Sequence, residues 1–117
     1  MNVKNVFVEI KSDEEVFDEL KKAVKEIKEG KPVQKKESIV FSDLNQMRSF
    51  LTNERLRILH AIKEKNPKNL YQLAKITGKD YSSVYKNVKA LRDLGLIDLH
   101  NNTPEVNYHK INVEIVV

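Results

Sequence analysis

Two apolar stripes at helical spacing lie between Asn69 and Gly95, and only a tight turn separates them. In the first, Leu70, Leu73, Ala74 and Thr77 recur at i, i+3, i+4 and i+7. Asn69 before them suits a helix start, and Gly78 closes the segment. In the second, Asp80 supplies the cap, Val84, Val88 and Leu91 repeat at i, i+4 and i+7 with Tyr81 at the edge of the stripe, and Gly95 ends it. A short helix, a turn containing glycine and a longer helix over about 81–94 form the helix-turn-helix arrangement.

The flanking sequence offers partners for those stripes. From Asn53 to about Lys65 the residues Leu56, Ile58, Leu59, Ala61 and Ile62 form a broad helical stripe behind Thr52, stopped by Asn66-Pro67. After Gly95, Ile97 and Leu99 alternate with Asp98 and His100, Asn101 to Pro104 form a turn cluster, and Ile111, Val113 and Ile115 alternate with Lys110, Asn112 and Glu114. This predicts a β-hairpin over about 96–115. Three helices followed by a hairpin is the order of a winged helix domain, the hairpin being the wing. Upstream, Val6, Val8 and Ile10 alternate as a strand does. Ser12 and Glu15 make a capping box for a helix carrying Val16, Phe17, Leu20, Val24 and Ile27 as far as Gly30, with a solvated Lys and Glu face opposite. Gly30-Lys31-Pro32 and Gln34-Lys35-Lys36 read as a linker, Ser38 to Phe41 as a short strand, and Ser42 as the cap of a short helix with Leu44, Met47 and Leu51. The expected fold is α+β: a winged helix-turn-helix over 38–117, preceded by a strand-helix extension and linker over 1–37 that offers a dimer or partner surface.

A length of 117 residues suits one domain with a modest decoration. No apolar run reaches the ~18–20 residues of a membrane-spanning helix, and Met1 to Lys11 lacks the build of a signal peptide, so a cytoplasmic protein is expected. With no Cys, disulfides, thiolate zinc sites and cysteine nucleophiles are excluded. There are only three Gly, no phosphate-binding glycine loop and no evident carboxylate pair, which argues against an enzyme and against a cofactor. The net charge of +4 is informative through its placement. Residues 1–41 hold nine Lys and nine Asp or Glu, whereas 42–117 hold twelve Lys or Arg and eight Asp or Glu. Within Lys68 to Arg92 six cations face the single acid Asp80, a local excess suited to a polyanion.

Several motifs together resemble the MarR-like winged helix regulators of archaea and bacteria. They are Leu51-Thr52-Asn53-Glu54-Arg55-Leu56-Arg57-Ile58-Leu59, Leu73-Ala74 before Gly78, Asp80-Tyr81-Ser82-Ser83-Val84, and Leu91 followed by Leu94-Gly95-Leu96-Ile97. The match covers about residues 38–115, and the Leu-x-x-Leu-Gly-Leu-Ile ending is shared by many winged helix regulators. With the leading strand and helix, the set looks like a group of DNA-binding proteins sometimes assigned as antitoxins. The resemblance implies a DNA-binding transcription regulator, usually a homodimer, although this chain lacks the long flanking helices through which larger MarR proteins pair.

On a helical wheel the Val84, Val88, Leu91 stripe leaves Ser82, Lys86, Lys89 and Asp93 on the opposite face, flanked by Ser83 and Tyr85. The major groove admits a helix, so Ser82, Ser83 and Lys86 are candidates for base edges or phosphate, and Lys89, farther along, for phosphate. Lys79, Tyr81 and Tyr85 are further candidates, as is Asn69, whose helix start can hold a phosphate. On the wing, Asn102 at the tip and Lys110 are the weaker contacts. The partner this predicts is double-stranded DNA, bound by a homodimer. The alternative is a protein-interaction module, such as an antitoxin capping a toxin-like protein. Asp98, His100 and His109 would approximate a metal triad if the hairpin turned about Thr103 to Pro104; a polar wing face gives the same pattern, and no metal is expected.

Overall fold

The computed structural model describes residues 5–32 and 38–117. In chain order its elements are β1 (Val6–Ile10), α1 (Asp13–Lys28), β2 (Ile39–Phe41), α2 (Leu44–Phe50), α3 (Asn53–Lys65), α4 (Leu70–Thr77), α5 (Tyr81–Asp93), β3 (Asp98–His100), β4 (Thr103–Glu105) and β5 (Ile111–Ile115). The protein is α+β, as expected. The described residues form two compact units, one of residues 51–109 and one of residues 5–50 with 110–117. Residues 38–50 and 110–117, grouped by their sequence with the helical region, therefore belong with β1 and α1. The linker residues Gln34, Lys35 and Lys36 lie outside the described residues.

In the helical unit α3, α4 and α5 pack on one another. Ile58, Ile62, Leu70, Leu73, Val84, Val88 and Leu91 are at most 1% exposed, so these positions of the stripes form the core, whereas Leu56, read as part of the α3 stripe, is 43% exposed. Each such side chain contributes roughly 1.5–3 kcal/mol by leaving water. Local chemistry sets the helix ends. The Thr52 hydroxyl accepts the Arg55 N–H at 3.2 Å, the Asn69 side chain accepts that of Gln72 at 2.8 Å, and Asp80 caps α5 through the Ser83 N–H at 3.4 Å. Gly78 takes φ +69°, and its own N–H and that of Lys79 return to the carbonyls of Lys75 and Ala74. Gly95 repeats the device at φ +80°, with the Leu96 N–H donating to the Leu91 carbonyl at 2.9 Å. This closure seats buried Leu96 at the end of the α5 stripe.

The hairpin expected over 96–115 is shorter. β3 pairs antiparallel with β4, three residues to a strand, around Asn101 and Asn102. Both Asn residues have positive φ, +51° and +74°, as a two-residue type I′ turn demands, and that turn closes the ladder at once. Downstream, Tyr108 is buried and its hydroxyl donates to the Leu96 carbonyl at 2.8 Å.

Strand β5, expected to be the second arm of that hairpin, lies in the other unit. There β1 is the centre of a three-stranded sheet of order β2-β1-β5, and both pairings are parallel. Register explains the choice: Val6, Val8 and Ile10 align with Ile111, Val113 and Ile115, and Val8 and Ile10 with Ile39 and Phe41. One face of the sheet is therefore wholly apolar at these positions. Phe50 of α2 lies against Phe41, ring centroids 6.0 Å apart. On the other face the Lys11 ammonium contacts Glu9 at 2.8 Å and Glu19 of α1 at 2.6 Å. Glu9 and Lys11 are 5% and 7% exposed, and the hydrogen bonds to Glu19 and then Glu9 raise the Lys11 pKa above its ordinary 10.5.

Candidate nucleic-acid interface

The three-residue turn Gly78-Lys79-Asp80 delivers α5 with its core stripe inward and its polar face to solvent. Ser82, Tyr85, Lys86 and Lys89 are exposed on α5, and Lys79 is exposed in the turn before it. These five lie together on the outer side of one helix and its approach. Ser83 is drawn inward instead. Its hydroxyl lies 3.5 Å from a Glu54 carboxylate oxygen, so it faces α3 rather than the open surface. Arg55 of α3 donates to the Asn87 side chain at 3.0 Å one turn farther along. Neither link between α3 and α5 has a periodic signature in the sequence, yet the two fix the rotation of α5 about its axis.

Tyr81 is half-buried and sits in a ladder of rings. Its ring stacks on Tyr71 of α4 at 4.3 Å between centroids and 16° between planes, and on Tyr85 at 6.2 Å and 25°. Aromatic contacts of this kind add about 0.5–1.5 kcal/mol each beyond burial. The outer rings, Tyr71 at 61% exposure and Tyr85 at 46%, put a polar-edged aromatic surface beside the lysines. Spacing of i, i+4 signals the Tyr81–Tyr85 pair, but the Tyr71 contact crosses between helices and is not legible in the sequence.

Asn69 is half-buried with its side-chain oxygen engaged as the α4 cap, which leaves backbone N–H groups rather than that oxygen for an anion. Asn102 is exposed at the hairpin tip. The hairpin itself is held to the loop before α4, since the Thr103 hydroxyl donates to the Lys68 carbonyl at 2.8 Å. Lys110 belongs to the sheet unit. The Asp98, His100, His109 arrangement does not form. The register sets Asp98 opposite Glu105, Asn107 donates to Asp98 at 2.7 Å, and His100 Nε2 lies 3.3 Å from Glu105. Among the described residues no three His, Cys, Asp or Glu side chains are placed to hold a metal ion, and no helix is long and apolar enough to cross a membrane. An open groove runs along α3 past Leu56, His60 and Glu64 to Ile76 of α4.

The architecture defines an α+β protein whose exposed basic helix is carried on a compact three-helix core. Residues 50–113, more than half of the chain, match the sequence model of the HVO_A0114 family, and the protein belongs to that family. The match runs from the end of α2 through all three core helices and the short hairpin into β5. Neither the curated proteins nor the solved structures give a match to this chain.

Proposed function

We propose that the protein is a sequence-specific double-stranded DNA-binding regulator of transcription, not an enzyme, whose helical unit works as a winged helix-turn-helix. In this reading α4 and α5 are the helix-turn-helix, α5 enters the major groove, and the β3–β4 hairpin is a short wing. One observation carries the reading. The face of α5 opposite Val84, Val88 and Leu91 presents Ser82, Tyr85, Lys86 and Lys89 to solvent, within a segment whose six cations outnumber its one acid. Short hydroxyls tolerate close approach to base edges, while Lys86 and Lys89 neutralise phosphates. Tyr71 and Tyr85 add hydroxyls that can donate to the backbone.

The test is binding of the full chain to its own promoter DNA at several salt concentrations. Reversing both charges in a Lys86→Glu, Lys89→Glu variant is expected to abolish binding while leaving the circular dichroism spectrum unchanged, because both residues are exposed. Substituting both by alanine is expected to lower the slope of log affinity against log salt by about 2, one for each phosphate no longer neutralised. Charge-reversed protein that binds as well as the wild type at low salt refutes the assignment.

A further inference from the structure

Helix α1 carries its apolar stripe on the outside. Phe17, Leu20, Val24 and Ile27 are 58%, 59%, 49% and 62% exposed, and no residue of α1 is buried. Isolated exposed leucines need no explanation, but these four follow one another at intervals of three, four and three, the a and d seam of two successive heptads. The helix that bears them is firmly built. The Ser12 hydroxyl accepts the Glu15 N–H at 3.2 Å, and Lys31 closes the far end with an N–H bond to the Glu26 carbonyl at 2.9 Å. Four half-exposed side chains of this size offer on the order of 300–400 Å² of apolar surface. That is close to the apolar share of one side of a small protein interface.

We propose that α1 docks antiparallel on the α1 of a second copy of this chain. In that pairing Phe17 packs opposite the second copy's Ile27, and Leu20 opposite its Val24. Charge selects the direction. Glu14, Lys21 and Lys28 lie along one flank of the stripe, and Val16 and Ala23 along the other. Antiparallel docking brings Glu14 beside the second copy's Lys28 at both ends and Ala23 against Ala23, and it opposes the two helix dipoles. Among the described residues neither Glu14 nor Lys28 forms an ion pair within the chain. The two Lys21 side chains meet mid-flank, but each ammonium is drawn aside over its own Phe17 ring, 4.7 Å from the centroid. Parallel docking would set Lys21 and Lys28 beside Val16 and Ala23, with no carboxylate for either cation.

Sedimentation equilibrium of the full chain over a wide concentration range tests this. The wild type is expected to dimerise, Leu20→Glu to weaken self-association at least tenfold with an unchanged circular dichroism spectrum, and Glu14→Lys to weaken it several-fold with recovery in Glu14→Lys, Lys28→Glu. Because the chain has no cysteine, single substitutions report direction by disulfide formation. Ala23→Cys is expected to cross-link to itself, and Val24→Cys to remain unlinked. A monomeric wild type, which would leave the stripe to a different protein, a dimer that survives Leu20→Glu, or self-cross-linking of Val24→Cys in place of Ala23→Cys would each overturn the proposal. None of these readouts involves DNA, so this proposal and the DNA reading fail separately.

Discussion

The helical unit and the sheet unit close their cores in opposite ways. Residues 51–109 are continuous, each helix buries a stripe against its immediate neighbours in sequence, and every buried side chain in its core is apolar save for the Tyr108 hydroxyl. The sheet unit gathers strands that begin at residues 6, 39 and 111, pairs them in parallel, and seats an ion pair of Glu9 and Lys11 at the end of its central strand. Parallel neighbours cannot be joined by a turn, so this sheet depends on long crossovers and on contacts between distant residues. One chain thus holds two sources of specificity: local caps and stripes in the first unit, register and one buried charge contact in the second.

The greatest loss of stability is expected in the helical unit. Leu91 is fully buried and is where the Gly95 closure brings Leu96 onto the α5 stripe. Leu91→Ala is expected to cost about 4 kcal/mol in urea unfolding, the transfer loss of a buried leucine plus the cavity it leaves. Next is the sheet side. Lys11→Met removes the ammonium that holds the Glu9 and Glu19 carboxylates together and is expected to cost about 2 kcal/mol, because both charge-assisted contacts are lost and the two like charges are left facing each other. Glu9→Gln, Lys11→Met should recover much of that loss. If the double variant is no better than the single, the ion pair is not what defines this core.

The same contrast explains what could be read from residues alone. Helices α3, α4 and α5 were legible because spacing at 3.6 residues and the caps Thr52, Asn69 and Asp80 are local facts. Both β1 and β5 were equally legible as strands, but their partnership was not: alternation tells which face of a strand is apolar and says nothing of which strand lies beside it. Asn101 and Asn102 carried the missing hint, since two residues that tolerate positive φ close a hairpin tightly and free residues 111–115 for other work. The exposed lysines of α5 followed from the wheel. What the wheel could not show was Ser83 turned toward Glu54, or Tyr71 stacking on Tyr81, because both depend on how two helices meet.

Tyr108 in the helical unit and Lys11 in the sheet unit both make stability fall at alkaline pH. Burial, with Asp98 adding to it, pushes the Tyr108 phenol up to about 12 from 10.0. Above pH 10 the unfolded chain therefore loses this proton while the folded chain keeps it, and stability falls as pH rises from 10 toward 12. Lys11 acts in the same sense: its folded value lies above 10.5, so the stabilisation is complete below 10.5 and is lost as pH rises through the folded value. Tyr108→Phe removes only the first contribution. It is expected to cost about 1 kcal/mol at neutral pH, through the missing bond to the Leu96 carbonyl, and to flatten the decline above pH 10 by about 1–2 kcal/mol. Unfolding free energies of wild type and variant from pH 8 to about pH 12 measure this, and the difference in slope between the two curves is the Tyr108 contribution. A variant that follows the wild-type curve at a constant offset would show that the phenol does not ionise across the transition.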